Sequence, residues 1–315
     1  MTATRSMRPI AVLTGPTGTG KTDIALALAR EFPLELVSVD SAQVYRGLDI
    51  GSAKPSVEIR AQVPHHLIDL VDPSGSYSAG QFVRDATRAI EDIESRGRVP
   101  LLVGGTMLYL RALTGGIATL PEGSAELRAA IDVEAARDGW PALHARLAAL
   151  DPAAGARIHP NDSQRIQRAL EVHAVGGRPI SELQTSTRPA LERDFHVCAL
   201  FPADRVRLHA DLERRFARMM SEGLLDEVRG LRARGDLTDA HPAIRAVGYR
   251  QLWAHLDGSY SLDMAVQRGV AATRQLAKRQ MTWLRSMANI RTFDPYDAQS
   301  FVGVREALIG AFSLF

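Results

Sequence analysis

At 315 residues, with 45% hydrophobic and 23% charged side chains, the chain has the composition of a folded globular protein of about two domains, which excludes a disordered one. No apolar run reaches the roughly 18 residues that span a bilayer, and the single Cys198 excludes an intramolecular disulfide or a cysteine zinc cluster. The net charge is only +2 but uneven: residues 157–292 carry 22 Lys and Arg against 15 Asp and Glu, the remainder 16 against 21, which fits a solvated surface or a polyanionic partner.

The N-terminal MTATRSMRPIAVLTG has one short apolar stretch that runs straight into a glycine loop. It reads as a first strand rather than a secretion signal, and a cytoplasmic location is expected. Gly15-Pro16-Thr17-Gly18-Thr19-Gly20-Lys21-Thr22 then matches G-x-x-x-x-G-K-[ST], followed by a helix over Thr22 to Phe32. Glycines let backbone N–H groups turn inward around an anion, the helix N-terminus adds its positive end, Lys21 adds a point charge, and Thr22 can hold Mg²⁺. Asp23 stands where a dinucleotide fingerprint needs its third glycine. Such a loop binds a diphosphate whatever is attached to it, so it suits phosphoryl transfer or a pyrophosphate leaving from carbon.

LELVSVD reads as a second strand that ends in Asp40. At that rim a carboxylate can hold Mg²⁺ or act as a general base, and the chemistry alone leaves both roles open. In VPHHLIDLVDP, His65 and His66 are adjacent and point different ways in regular structure, which argues against a metal site. A helix over Ala79 to Glu94 leads to the strand VPLLVGG and a further helix from Met107 to about Leu113. Gly104-Gly105-Thr106 between them is either a tight turn or a means of placing the Thr106 hydroxyl beside Asp40. Nearly all-apolar strands alternating with helices predict a parallel sheet covered on both faces. Ligands bind such sheets at the carboxyl ends of the strands, where all three motifs fall.

From about Gly115 to Arg193 the periodicity turns helical, in SAELRAAIDVEAARDG, WPALHARLAALDP and NDSQRIQRALEVHAVGGRP. Early in the last of these, Gln164, Arg165 and Arg168 share a face that can meet bases or phosphates, or simply solvent. FHVCALFP returns to strand, with Cys198 as a core thiol, and Arg205 to Leu256 and Leu262 to about Met287 are again helical. RGVAATRQLAKRQMTWLRSMANIR, 268–291, holds six Lys and Arg and no acid. At helical spacing Arg274, Lys278 and Arg285 form one cationic stripe, suited to a nucleic-acid backbone.

The ordered set GPTGTGKT, DSAQVYRGLDIGSAKP, VPHHLIDLVDP, LLVGGTMLYLRAL, NDSQRIQRALEV, LERRFARMMSEGLLDEVRGL, IRAVGYRQLW and ATRQLAKRQMTWLR resembles the tRNA dimethylallyltransferase family from Ile10 to about Arg285. Ser52 departs from a usual Thr, and Met107 from a Gly in many members. The resemblance implies an α/β fold, a P-loop parallel sheet core flanked by helices with a helical insertion domain. The core would span 1–115 and 194–292, the tRNA-contacting insertion 116–193 and a C-terminal tail 293–315. The implied reaction moves a dimethylallyl group from its diphosphate to N6 of the adenosine 3′ of the anticodon, in tRNAs reading codons that begin with U.

Asp40 would then be the base, Thr106 would hydrogen-bond at the reacting centre, and Gly15 to Thr22 would cradle the diphosphate. Lys21, Thr22 with Mg²⁺, and Arg215 would neutralise it as it leaves. Implied tRNA contacts are Asp40, Ser41, Ala42, Gln43, Thr106 and Arg128, then Gln164, Arg165, Ile166, Gln167 and Arg168. They continue with Arg245, Ala246, Val247, Gly248, Tyr249 and Arg250, then Lys278, Arg279, Gln280, Met281, Thr282, Trp283, Leu284 and Arg285. The implied partners are dimethylallyl diphosphate and a tRNA anticodon stem-loop; no membrane is implied, and a monomer is expected. The rival readings are an ATP-dependent small-molecule kinase, which leaves the basic half unexplained, and a P-loop RNA-binding module, which gives Asp40 and Thr106 no task.

Overall fold

A computed structural model describes residues 8–118, 120–185 and 189–312. The first seven residues, Thr119, residues 186–188 and the last three lie outside that description, as do the parts of the leader, insertion and tail expectations that fall on them. The chain divides into two compact units, Met1–Thr114 with Ala190–Phe315, and Gly115–Pro189.

In the first unit β1 (Ile10–Thr14), α1 (Lys21–Glu31), β2 (Leu34–Val39), α2 (Val57–Gln62), β3 (His65–His66), α3 (Ala79–Ser95), β4 (Val99–Gly104) and α4 (Met107–Gly115) follow in order. The second unit holds α5 (Ala125–Asp138), α6 (Trp140–Leu150), α7 (Pro152–Arg157), α8 (Ser163–Gly176) and α9 (Ile180–Leu183). The chain returns to the first unit through β5 (Phe195–Leu200), α10 (Arg205–Ser221), α11 (Leu224–Ala233), α12 (Tyr249–Leu256), α13 (Leu262–Ser286), β6 (Ile290–Phe293) and α14 (Ser300–Phe312).

The six strands form one parallel sheet in the order β3-β2-β4-β1-β5-β6. Successive side chains alternate faces, and both faces are buried. Val12, Val37 and Leu102 pack with Phe82 and Ile90 of α3 and Leu113 of α4. Leu13, Leu36, Leu101 and Cys198 pack on the other face with Leu28 of α1 and Val304, Leu308 and Phe312 of α14. Burial pushes the Cys198 thiol up to about 11, as befits an inert core sulfur.

Residues 290–312 add an edge strand and a core helix to the first unit, and no sequence motif pointed to either. Helices α10, α11 and α12 share a separate core in which Tyr45, Leu48, Phe216, Tyr249 and Trp253 are buried. The second unit closes its own core around Ile131, Leu143, Leu147, Ile166 and Leu170. No described helix is long and apolar enough to cross a membrane.

Candidate active site

The glycine loop joins β1 to α1 at the carboxyl end of the sheet. Gly18 and Gly20 take φ of 81° and 77°, in the left-handed region that favours glycine. Gly15 has a different constraint, because a Cβ there would come 2.7 Å from the Leu200 carbonyl oxygen. Thr19 Oγ1 and Lys21 Nζ donate to the Pro16 carbonyl at 2.9 and 2.7 Å, so the loop holds its own shape. A longer-range brace comes from α13, where Gln280 Oε1 accepts the Thr17 N–H at 2.9 Å and its Nε2 donates to the Gly105 carbonyl at 2.8 Å.

Asp40 follows β2, and its Oδ1 accepts the N–H groups of Ala42 and Gln43 at 2.8 and 3.2 Å. Thr106 follows β4; its Oγ1 accepts the Ser41 N–H at 3.0 Å, and its own N–H donates to the Val39 carbonyl at 3.1 Å. The glycines before it are sites of close approach, since a Cβ on Gly104 would collide with Val39 and one on Gly105 would meet Gln280. Asp40 and Thr106 thus come to one rim because β2 and β4 are neighbours in the sheet.

Lys21 and Asp40 keep some accessible area, yet protein atoms crowd both. That crowding, then the Arg215 charge, pushes the Lys21 ammonium down to about 7, with Asp40 opposing. The same desolvation raises the Asp40 carboxyl above its ordinary range, against the two N–H groups it accepts and the charges of Lys21 and Arg215. Burial and Arg218 lower Arg215. Among the described residues neither Lys21 nor Arg215 forms an ion pair with a carboxylate, so both charges are free for an anion.

Two chambers meet here. A polar one of about 340 Å³ is lined by the loop from Thr17 to Thr22 with Asp40, Lys54, Arg215 and Arg218. An apolar one of about 400 Å³ is lined by Met107, Leu108, Leu212, Phe216, Met219, Leu276 and Trp283, with Ser41, Thr106 and Arg245 at its edge. Thr17, Asp40, Ser52, Gly105, Arg215 and Gln280 belong to both. The apolar lining escaped sequence reasoning because it comes from α4, α10, α11 and α13, each contributing residues that look like ordinary core. Met107 and Ser52, the two departures from the family pattern, both face these chambers.

The expected tRNA residues divide by exposure. Ala42, Arg245, Ala246, Val247 and Arg279 line the apolar chamber, while Arg250, Lys278, Thr282 and Arg285 are exposed. Gly248, Tyr249, Gln280, Met281 and Leu284 are buried, Gly248 and Gln280 at the wall of the apolar chamber. Gln43 is drawn inward, accepting from Ser38 Oγ at 2.9 Å. Arg274 leaves the cationic stripe to pair with Glu213 at 2.8 Å, and Arg285 stacks on Phe201.

In the second unit Ile166 is fully buried, and Arg128 and Arg168 both pair with the buried Glu171, at 2.8 and 2.6 Å. Gln167 donates to Asp132, and Gln164 and Arg165 remain exposed. His65 bonds the Val63 carbonyl and His66 bonds Glu35; among the described residues no group of His, Cys, Asp or Glu could hold a metal.

The IPP transferase family profile matches residues 43–287. The tRNA dimethylallyltransferase of Bordetella petrii is 56% identical over 284 residues, 89% of this chain and 90% of that protein. That of Paraburkholderia xenovorans is 53% identical over 310 residues, 96% of this chain and 98% of that protein. The full-length tRNA isopentenylpyrophosphate transferase of Bacillus halodurans superposes with a TM-score of 0.70 at 35% identity, over 97% of both chains. A eukaryotic dimethylallyltransferase acting on tRNA superposes with a TM-score of 0.80 at 27% identity, over 96% of this chain and 78% of that one.

Proposed function

The chain belongs to the tRNA dimethylallyltransferase family, whose members are prenyltransferases, and from that premise we propose that it moves a dimethylallyl group from dimethylallyl diphosphate to an adenosine of tRNA. The acceptor is N6 of the adenosine immediately 3′ of the anticodon, in tRNAs reading codons that begin with U. The observation that carries this reading is the meeting of a polar chamber lined by the glycine loop and an apolar chamber at one carboxylate, Asp40. A diphosphate in the first puts its allylic carbon at the mouth of the second. A phosphoryl acceptor would have no use for the apolar lining.

The residues divide the work by their chemistry. N6 of adenine is a weak nucleophile because its lone pair is delocalised into the ring. Rate must therefore come from positioning, from stabilising the leaving group, and from taking the proton. The N6 nitrogen forms a bond to the allylic carbon as the bond from that carbon to the diphosphate oxygen breaks. The N6 proton passes to Asp40, whose desolvated carboxylate is more basic than usual.

Lys21, Arg215 and the inward N–H groups of the loop take up the negative charge on the departing diphosphate. Thr106, held by Ser41, offers its hydroxyl at the same rim. Thr22 faces the polar chamber and would hold Mg²⁺ together with the diphosphate's own oxygens, the ion adding positive charge to the leaving group. The adenosine leaves its stack to reach the chamber, and Arg245, Lys278 and Arg279 meet the backbone around it. Within the second unit, Gln164 and Arg165 are exposed and have the chemistry to contact RNA.

Digestion of an anticodon stem-loop to nucleosides after incubation with the enzyme and dimethylallyl diphosphate tests the assignment. One modified adenosine, 3′ of the anticodon, is expected. Modification elsewhere, or unmodified RNA, would count against it.

A further inference from the structure

The turn from Asp49 to Lys54 is a wall of both chambers: Gly51 and Ser52 face the apolar one, and Ser52, Ala53 and Lys54 the polar one. It belongs to no helix or strand, and Ala53 sits at φ 50°, where a residue with a Cβ is disfavoured. Something outside the turn must hold it in place. From behind, a single carboxylate does so. Glu227 of α11 accepts the N–H groups of Asp49 and Ile50 on Oε2 at 3.0 and 2.8 Å, and that of Gly51 on Oε1 at 3.2 Å.

The same Oε1 accepts the hydroxyl of Tyr249, at the start of α12, at 2.5 Å. Tyr249 is fully buried, and its ring lies so close under the turn that a Cβ on Gly51 would come 2.6 Å from it. The far end of the turn is pinned by Lys54, whose Nζ donates to the Tyr45 carbonyl at 2.9 Å and to Asp49 and Asp69 at 2.6 Å each. On the chamber side Gln43 Nε2 donates to the carbonyls of Ser52 and Ala53 at 3.4 and 3.3 Å. Gln43 also gives its own N–H to Asp40 at 3.2 Å.

We propose that Glu227, seated by Tyr249, is a positioning residue: it fixes the wall between the two chambers and, through Gln43, the carboxylate of Asp40. The relevance to prenyl transfer rests on the reading above; the anchoring itself does not. A carboxylate is the one side chain here that can accept from three backbone amides and a phenol at once. An amide of the same shape offers one acceptor oxygen and turns its NH₂ toward N–H donors, leaving buried donors unmet. The turn would then shift toward the chambers' solvent side and widen the diphosphate site.

The test compares wild type, Glu227→Gln and Tyr249→Phe as full chains. Three quantities are measured: hydrogen exchange at the Asp49, Ile50 and Gly51 amides, pyrophosphate affinity by calorimetry, and steady-state transfer to a stem-loop RNA. Glu227→Gln is expected to speed exchange at those three amides and to weaken pyrophosphate binding and raise KM for dimethylallyl diphosphate by about tenfold or more. Affinity for RNA should be unchanged. Tyr249→Phe, which removes one donor and keeps the ring, should give the same pattern at smaller size and covers the case in which Glu227→Gln fails to fold.

Unchanged KM, pyrophosphate affinity and amide exchange, with only a lower melting temperature, would overturn the proposal, because a purely structural residue changes the amount of active enzyme and not its KM. Wild type that binds pyrophosphate but transfers nothing would fault the prenyl-transfer reading instead, while exchange and pyrophosphate affinity still decide the role of Glu227.

Discussion

At the scale of the residue, two perturbed groups, Asp40 and Lys21, set the pH dependence. Asp40 must be ionised to take a proton, and its pKa lies above the ordinary carboxylate value, so activity rises with pH through that raised pKa. Lys21 must be protonated to hold the diphosphate, and it is lowered to about 7, so kcat/KM for dimethylallyl diphosphate falls as pH rises past that value. Bound diphosphate restores charge to the lysine, which moves the alkaline limb upward in kcat. Lys21→Arg, which cannot deprotonate in this range, should remove the alkaline limb from kcat/KM. A limb that stays near neutrality in that variant would mean another group sets it. Asp40→Asn keeps the shape and loses the base; transfer should fall by about a hundredfold or more with RNA affinity retained. Single-turnover rates close to wild type would assign Asp40 some other task.

At the scale of the element, the three motifs of the sheet rim were legible because their chemistry demands short local patterns. The loop needs its glycines, lysine and threonine within eight positions, and Asp40 and Thr106 each sit just past an apolar strand. What escaped was set by contacts between distant segments. Gln280 looks like part of a basic helix face, yet it braces Thr17, 263 positions away, and Gly105, 175 away. Tyr249 sits in a motif that suggested RNA contact, and nothing local in that motif announces its hydrogen bond to Glu227, 22 positions earlier.

The C-terminal helix carries no chemical motif at all; only its buried face identifies it. Leu308→Ala should cost about 2–5 kcal/mol in denaturant unfolding, as for a fully buried core leucine. A change within a few tenths would mean α14 does not pack against the sheet. Within the second unit, Arg165 and Arg168 lie on one helix but do different things. Arg165→Ala should weaken RNA binding with little effect on stability. Arg168→Ala should also lower stability by about 2 kcal/mol, because the buried Glu171 loses a charged hydrogen bond. Equal stability of the two variants would contradict that division.

At the scale of the whole molecule, charge asymmetry was visible in composition, but its use was not. The uneven +2 conceals several arginines already committed to internal pairs, Arg274 with Glu213 and Arg168 with Glu171 among them. Of the three cations at helical spacing, Lys278 and Arg285 stay exposed with no carboxylate partner among the described residues. Replacing both by alanine should flatten the dependence of log Kd on log salt by about 0.7–0.9 for each phosphate that is no longer neutralised, while Arg274→Ala changes the slope little. A larger effect from Arg274 would place that residue in the RNA interface after all.

The central claim is that a diphosphate chamber and an apolar chamber share Asp40 so that a prenyl group passes between them to RNA. The most direct measurement incubates the purified protein with Mg²⁺, an anticodon stem-loop RNA and radiolabelled dimethylallyl diphosphate, with ATP in a parallel reaction. The account predicts label on the adenosine 3′ of the anticodon and intact ATP. Unlabelled RNA, with ATP consumed in the presence of an acceptor, would contradict it.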